Sequence, residues 1–75
     1  MEAVVQSIQD RLKSLTPREY EVFTLMTTGL LNKQVAYELG TAEKTIKVHR
    51  ARIMEKMHCE SLAQLVRLAE KVGVR

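Results

Sequence analysis

The chain has 75 residues, a formal net charge of +3 and one cysteine, Cys59. This length allows one domain at most, and a lone cysteine cannot form an intramolecular disulfide, so a reducing cytoplasmic setting is the default. No apolar run is long enough to cross a membrane, and we expect no membrane partner. Leu, Val, Ala, Met, Glu and Lys dominate the sequence, a composition that favours helices and predicts an all-α fold.

The first predicted element is a helix over residues 2–14. Val4, Ile8 and Leu12 recur there at helical spacing, with polar side chains between them. We interpret residues 1–14 as a linker helix and residues 15–75 as the domain that follows it. Four helices are predicted within that domain, near residues 17–28, 32–39, 42–57 and 61–72.

The sequence LTPRE, from Leu15 to Glu19, is a strong helix-start signal. Thr16 is the expected N-cap, Pro17 suits the first helical position, and Glu19 can complete a capping box. Gly40 is expected to supply the positive φ of a tight turn. The N-caps of the three later helices are predicted at Asn32, Thr41 and Ser61.

A hydrophobic core is predicted from the apolar side chains on the inner face of each helix. Ala36 is small at the point where two helices are expected to cross closely. The predicted core residues are Leu15, Val22, Phe23, Met26, Val35, Ala36, Leu39, Ile46, Ile53, Met57, Leu62, Leu65 and Val66.

Positive charge is concentrated in one stretch, residues 41–57. This stretch has five basic and two acidic residues and therefore holds the whole net charge of the chain. A basic helix can be no more than a solvated surface, but a local excess on an otherwise balanced chain favours a polyanionic partner.

Residues 32–39 and 42–57, joined by a two-residue turn, have the pattern of a helix-turn-helix. With Ile46 facing inward, Ile53 lies on the same side of the second helix and a basic surface lies on the opposite side. The N-terminal half of such a recognition helix enters the major groove of double-stranded DNA. The side chains expected near base edges are Lys44, Lys47, Val48 and Ala51.

These side chains have distinct expected roles. Lys47 can donate to the paired acceptors of guanine, while Val48 and Ala51 can contact a thymine methyl group. Arg50 flanks the core side of the helix. Two interpretations of Arg50 stay open: it pairs with an acid such as Glu19, or it reaches a DNA phosphate.

Metal and enzyme chemistry have no support in the sequence. His49 and His58 are nine residues apart, and Cys59 adds no recurring ligand spacing. His49 is expected instead to pack and hydrogen-bond at the edge of the core. No nucleophile–base arrangement is present, and no cofactor is expected. The alternative function is a helical protein-interaction module whose basic helix binds an acidic protein partner or RNA polymerase.

Several short motifs occur together between Leu15 and Val74: the opening LTPRE, the run G..NK..A..L, T.K.H in the recognition helix, and KM near its end. In this combination the chain resembles the LuxR-type helix-turn-helix domain, the output domain of NarL/FixJ response regulators. The run VHRA…MEKM…SL..LVR.A is most similar to the FixJ branch. The resemblance implies a four-helix transcription regulator of a two-component system that forms a homodimer on DNA through its last helix.

The resemblance also implies roles for individual residues. Many relatives carry Lys or Arg where this chain has Ala51, so a second charged base contact is absent. The base-contacting positions fall on Lys47, Val48 and Ala51, and the DNA backbone-contacting positions fall on Asn32, Lys33, Thr45 and Lys56. We add Arg52 to the backbone-contacting residues because it lies on the same flank of the recognition helix as Thr45 and Lys56.

No receiver domain with a phosphorylatable aspartate is present. The chain is therefore expected to be either the output domain of a longer regulator or a stand-alone regulator, and the length of the linker helix favours the first.

The last helix carries two apolar residues, Leu68 and Val72, that lie off its inward stripe and beside Arg67 and Lys71. Exposed apolar side chains are often incidental. We favour a small symmetric interface in which the last helix meets its copy in a dimer on DNA.

Overall fold

Five helices make up the described part of the computed structural model, residues 2–74. No strand occurs within these residues, so the predicted all-α fold is confirmed, and the helix ends lie within two residues of their predicted positions. None of the helices in this range is long and apolar enough to cross a membrane. The helices are α1 (Glu2–Lys13), α2 (Pro17–Met26), α3 (Asn32–Leu39), α4 (Glu43–Lys56) and α5 (Leu62–Lys71).

The start of α2 has the predicted capping box. The backbone N–H of Glu19 donates to Thr16 Oγ1 (3.1 Å), and Glu19 Oε1 accepts from the backbone N–H of Thr16 (2.9 Å). At the start of α5, Ser61 Oγ accepts from the N–H of Gln64 (3.2 Å), as predicted, and Gln64 Oε1 accepts from the N–H of Glu60 (2.7 Å). These bonds satisfy N–H groups that have no partner inside the helix, and they fix where both helices begin.

The predicted N-caps of α3 and α4 are wrong by one residue. Leu31 and Ala42 hold the extended N-cap conformation, and neither has a side chain that caps the helix. Asn32 is instead the first residue of α3, because its side chain is engaged by α4. Gly40 ends α3 with a φ of +66°, as predicted. Thr41 lies in the turn, so α4 begins later than its sequence suggested.

The core is centred on α4, which packs against α2 and α3. Ten of the thirteen predicted core residues are buried, and Phe23 is 0% exposed. The other three, Leu39, Leu62 and Val66, are half-buried. Leu39 is the last residue of α3 and Leu62 is the first residue of α5, so both lie at the rim of the core.

The α1 helix packs on the rest of the fold. Ile8 is 2% exposed, Arg11 Nη1 donates to the Met57 carbonyl oxygen (3.0 Å), and Lys56 Nζ donates to the Ser14 carbonyl oxygen (3.2 Å). These contacts tie α1 to the C-terminal end of α4, while the division of the chain between residues 14 and 15 stays a prediction. The buried apolar residues outside the predicted core are Ile8, Cys59 and Ala69.

Candidate nucleic-acid interface

The α4 helix has one face in the core and one face in solvent. Ile46 and Ile53 are 1% and 0% exposed, while His49 and Arg50 on the flanks are half-buried. The side chains on the opposite face are exposed. This division follows the helical periodicity predicted from the sequence.

The four side chains predicted to approach base edges, Lys44, Lys47, Val48 and Ala51, are all exposed on this outer face. Val48 is 47% exposed. Lys47 Nζ lies 4.0 Å from Glu43 Oε2, and 66% of the Lys47 side chain is exposed. An exposed ion pair of this kind contributes little to stability and leaves the ammonium group free to change partner.

The side chains predicted to contact the DNA backbone divide into two groups. Lys33, Thr45 and Arg52 are exposed, and within residues 2–74 their side chains form no hydrogen bond or ion pair. Asn32 and Lys56 are half-buried, and each is bound to another side chain of the fold. The first group therefore faces solvent, while the second already has partners.

Lys56 belongs to a largely buried ion pair. Its Nζ lies 2.7 Å from Glu19 Oε1, and 3% of the Glu19 side chain is exposed against 32% of the Lys56 side chain. The hydrogen bond from Lys56 lowers the pKa of Glu19 below its usual value, although burial opposes this effect, and the Thr16 N–H adds to the lowering. The charge of Lys56 is thus directed toward the junction of α1, α2 and α4.

The Glu19–Lys56 pair should make stability depend on pH. Because the pKa of Glu19 is lower in the folded state, its contribution is present above the unfolded pKa of about 4.3 and is lost as pH falls through the folded value. Glu19→Gln should lower the free energy of unfolding by about 1 kcal/mol at neutral pH. The gap to the wild type should narrow below about pH 4, as measured by urea unfolding.

Glu21→Gln is the matched control for this prediction. Glu21 is also in α2, but it is exposed and pairs with Arg18 at 3.6 Å, so its removal should change stability little at any pH. A Glu19→Gln deficit that stays constant from neutral to acidic pH would contradict the role of the ionised Glu19 carboxylate.

Arg50 does not pair with Glu19, which was one of the two interpretations from the sequence. Its Nη1 donates to Asn32 Oδ1 at 3.0 Å, while the carboxylate of Glu19 is held by Lys56. The interpretation in which Arg50 pairs with Glu19 is therefore wrong. The reason is geometric, since Arg50 faces α3 and Lys56 faces the start of α2.

His49 and Cys59 lie within the fold rather than at an open site. His49 is half-buried at the edge of the core, as predicted, but its buried Nδ1 has no hydrogen-bond partner, so the expected hydrogen bond is absent at this atom. Burial raises the pKa of the Cys59 thiol. Within residues 2–74, no group of three or more His, Cys, Asp and Glu residues could hold a metal ion.

The two residues of the predicted dimer interface, Leu68 and Val72, are half-buried and pack against the core. Leu68 also lines a shallow depression together with Val4 and Arg11 of α1. The α1 helix therefore lies beside the face on which the dimer contact is predicted.

Comparison with known proteins identifies the family. The family model of bacterial regulatory proteins of the luxR family matches residues 13–69. The chain belongs to the luxR family. It is a LuxR-family DNA-binding regulator domain, and the resemblance predicted from the sequence is confirmed. The match includes the whole of α2, α3 and α4.

Relatives of this LuxR-family chain include several regulators. Nodulation protein W of Bradyrhizobium diazoefficiens is 47% identical over 70 residues, which cover 93% of this chain and 31% of the relative. The transcriptional regulatory protein FixJ of the same organism is 47% identical over 73 residues, covering 97% and 36%. Response regulator protein TodT of Pseudomonas putida is 43% identical over 68 residues, covering 91% and 30%. The chain thus spans about a third of the length of these curated relatives.

Two solved structures share the fold. Full-length FixJ from B. japonicum superposes with a TM-score of 0.89 at 46% identity, covering 99% of this chain and 36% of that one. The response regulator StyR superposes with a TM-score of 0.85 at 52% identity, covering 88% and 33%.

Proposed function

We propose that this LuxR-family domain is the output domain of a cytoplasmic two-component response regulator and binds double-stranded DNA sequence-specifically, with α4 in the major groove. The observation that carries the proposal is the outer face of α4. There Lys44, Lys47, Val48 and Ala51 are exposed together on a helix whose opposite face is buried. A basic helix anchored in this way presents its side chains to a groove in a fixed orientation.

The base-contacting side chains divide by chemistry. Lys47 donates to the O6 and N7 acceptors of a guanine, and Lys44 lies one helical turn earlier on the same face. Val48 and Ala51 contact thymine methyl groups. Since Ala51 carries no charge, the preference for a base at its position rests on apolar contact alone.

The backbone-contacting side chains are Lys33 at the start of α3 and Thr45 and Arg52 on the flank of α4. All three are exposed and free of partners within the described residues. Asn32 joins them through its amide group. We assign Lys56 to the fold rather than to a phosphate, because its ammonium group is already bound by Glu19.

A titration of the chain against duplex DNA at two salt concentrations tests the proposal. Each neutralised phosphate releases condensed counterions, so binding must weaken steeply with salt. With about three neutralised phosphates, the affinity of one domain should fall roughly 40-fold between about 50 mM and about 200 mM salt.

The salt titration also distinguishes DNA binding from the alternative function, a helical protein-interaction module. A helical interaction module that binds an acidic protein or RNA polymerase would show no specific affinity for any duplex recovered from a random pool. Absence of binding at low salt would therefore contradict the DNA-binding proposal and favour the module.

We further propose that the domain pairs on DNA through Leu68 and Val72 of α5. Because only two side chains carry the proposed interface, we expect it to bury less area than a stable dimer in solution needs, so pairing should occur on two half-sites about one helical turn apart. Leu68→Glu would place like charges across the two-fold axis. This variant should keep its affinity for a half-site and lose cooperative binding to the full site, as measured by quantitative electrophoretic mobility shifts.

Ala63→Glu is the matched control, because Ala63 is exposed on α5 away from Leu68. It adds the same charge and should change stability by no more than about 0.5 kcal/mol and leave cooperativity intact. Thermal unfolding of both variants checks that the fold tolerates the loss of the contact between Leu68 and the core. Unchanged cooperativity in Leu68→Glu would place the dimer contact elsewhere, for example on α1.

A further inference from the structure

A single hydrogen bond joins the two helices of the helix-turn-helix at the edge of the proposed DNA surface. Arg50 Nη1, in the middle of α4, donates to Oδ1 of Asn32, the first residue of α3, at 3.0 Å. Both side chains are half-buried. None of the ion pairs among residues 2–74 includes Arg50, so its positive charge is not neutralised within the described fold.

This bond fixes which end of the Asn32 amide faces outward. A guanidinium group has donors only, so the atom of Asn32 that faces Arg50 must be the carbonyl oxygen. The amide nitrogen is bonded to the same carbon and points away from Arg50. Within the described residues its two N–H groups donate to nothing in the fold.

An amide nitrogen that points away from the fold can donate hydrogen bonds to a phosphate group. Phosphate oxygens accept hydrogen bonds and cannot donate them, whereas an amide that had turned over would present its oxygen and repel the phosphate. Asn32 lies next to Lys33 in the first turn of α3, where backbone N–H groups also favour an anion.

We infer that Arg50 is a positioning residue for DNA backbone binding: it holds the Asn32 amide with its donors outward and ties the first turn of α3 to α4. This inference rests on the proposed function. It assigns to Arg50 a role that differs from both a partner of Glu19 and a direct phosphate contact.

Five variants of the chain test the inference against a duplex that wild-type protein selects from a random pool and against a scrambled duplex. Asn32→Asp keeps an acceptor for Arg50 but removes the outward donor. It should retain wild-type stability to urea and lose affinity for both duplexes by about 10-fold or more. Arg50→Ala should show a similar loss on both duplexes, and Arg50→Lys, which retains a donor, should recover most of it.

The combination of Arg50→Ala with Asn32→Ala shows whether Arg50 acts through Asn32. If it does, Arg50→Ala should weaken binding little further once Asn32 is alanine. Fully additive losses would make Arg50 a direct phosphate contact and overturn the inference, as would wild-type DNA affinity in Asn32→Asp. Losses of affinity that only follow losses of stability would also overturn it.

The wild-type titration separates failure of this inference from failure of the proposed function. If wild-type chain binds neither duplex with a steep salt dependence, both are overturned. If wild-type binding is salt-dependent and the variants behave additively, only the role of Arg50 is overturned.

Discussion

Phe23→Ala should lower the free energy of unfolding by about 3–5 kcal/mol. Phe23 is 0% exposed and lies on α2, which packs directly against α4. Its replacement removes buried apolar surface and leaves a cavity that the neighbouring helices cannot fully close. A chain of this length has a total stability of only about 4–11 kcal/mol, so the variant should lose a large part of it.

Urea unfolding followed by circular dichroism measures this effect, with Tyr37→Ala as the control. Tyr37 is also aromatic and helical but is 86% exposed, so its loss should change stability by no more than about 0.5 kcal/mol. Equal losses in the two variants would mean that the core is not organised around α2 and α4.

Lys47→Ala should weaken binding to the selected site by about 1–3 kcal/mol, equivalent to roughly 5–150-fold, and should relax the preference at one base position. The reason is that Lys47 is exposed on the outer face of α4 and its ion pair with Glu43, at 4.0 Å, is loose. Binding measurements on a set of duplexes with single base changes would locate the affected position.

Lys33→Ala is the matched control for this measurement, since it removes the same charge from α3. It should weaken specific and non-specific binding about equally, because a phosphate contact carries no base information. If both variants lose affinity in the same proportion on every duplex, the assignment of Lys47 to a base edge is wrong.

The sequence predicts most of this fold because its local signals agree with one another. Helical periodicity places Ile46 and Ile53 in the core, and the LTPRE start fixes the first turn of α2 through Thr16 and Glu19. These signals depend on residues close together in the chain. Burial of Ile8 depends on how α1 folds back onto α4, which no local pattern specifies.

The functional surface is predictable in part for the same reason. Which side chains of α4 face outward follows from the helix period, so the exposure of Lys44, Lys47 and Val48 was accessible from sequence. The hydrogen-bond and ion-pair partners of the long side chains on the flanks of α4 could not be predicted from the sequence. Arg50 and Lys56 are six residues apart on one helix, and only the three-dimensional arrangement shows which of them reaches Glu19.

The capping errors show where a local signal competes with a tertiary contact. Asn32 is a favourable N-cap residue by type, but its side-chain oxygen accepts from Arg50 rather than from its own helix. The chain therefore starts α3 with Leu31 in the cap position. The Leu31 side chain cannot cap the helix, and Gln34 Oε1 accepts from the Leu31 N–H (2.8 Å). A functional or tertiary use of a polar side chain can override local propensity in this way.

The most direct test of DNA reading by α4 is a nuclear magnetic resonance titration of the isotope-labelled chain with a single half-site duplex, which avoids changes caused by pairing. Our interpretation predicts that the largest changes in amide chemical shift occur in the first half of α4, at Lys44, Lys47 and Val48, and at Lys33 in α3, while Ala63 in α5 changes little. Changes confined to α1 and α5, with the first half of α4 unaffected, would contradict it.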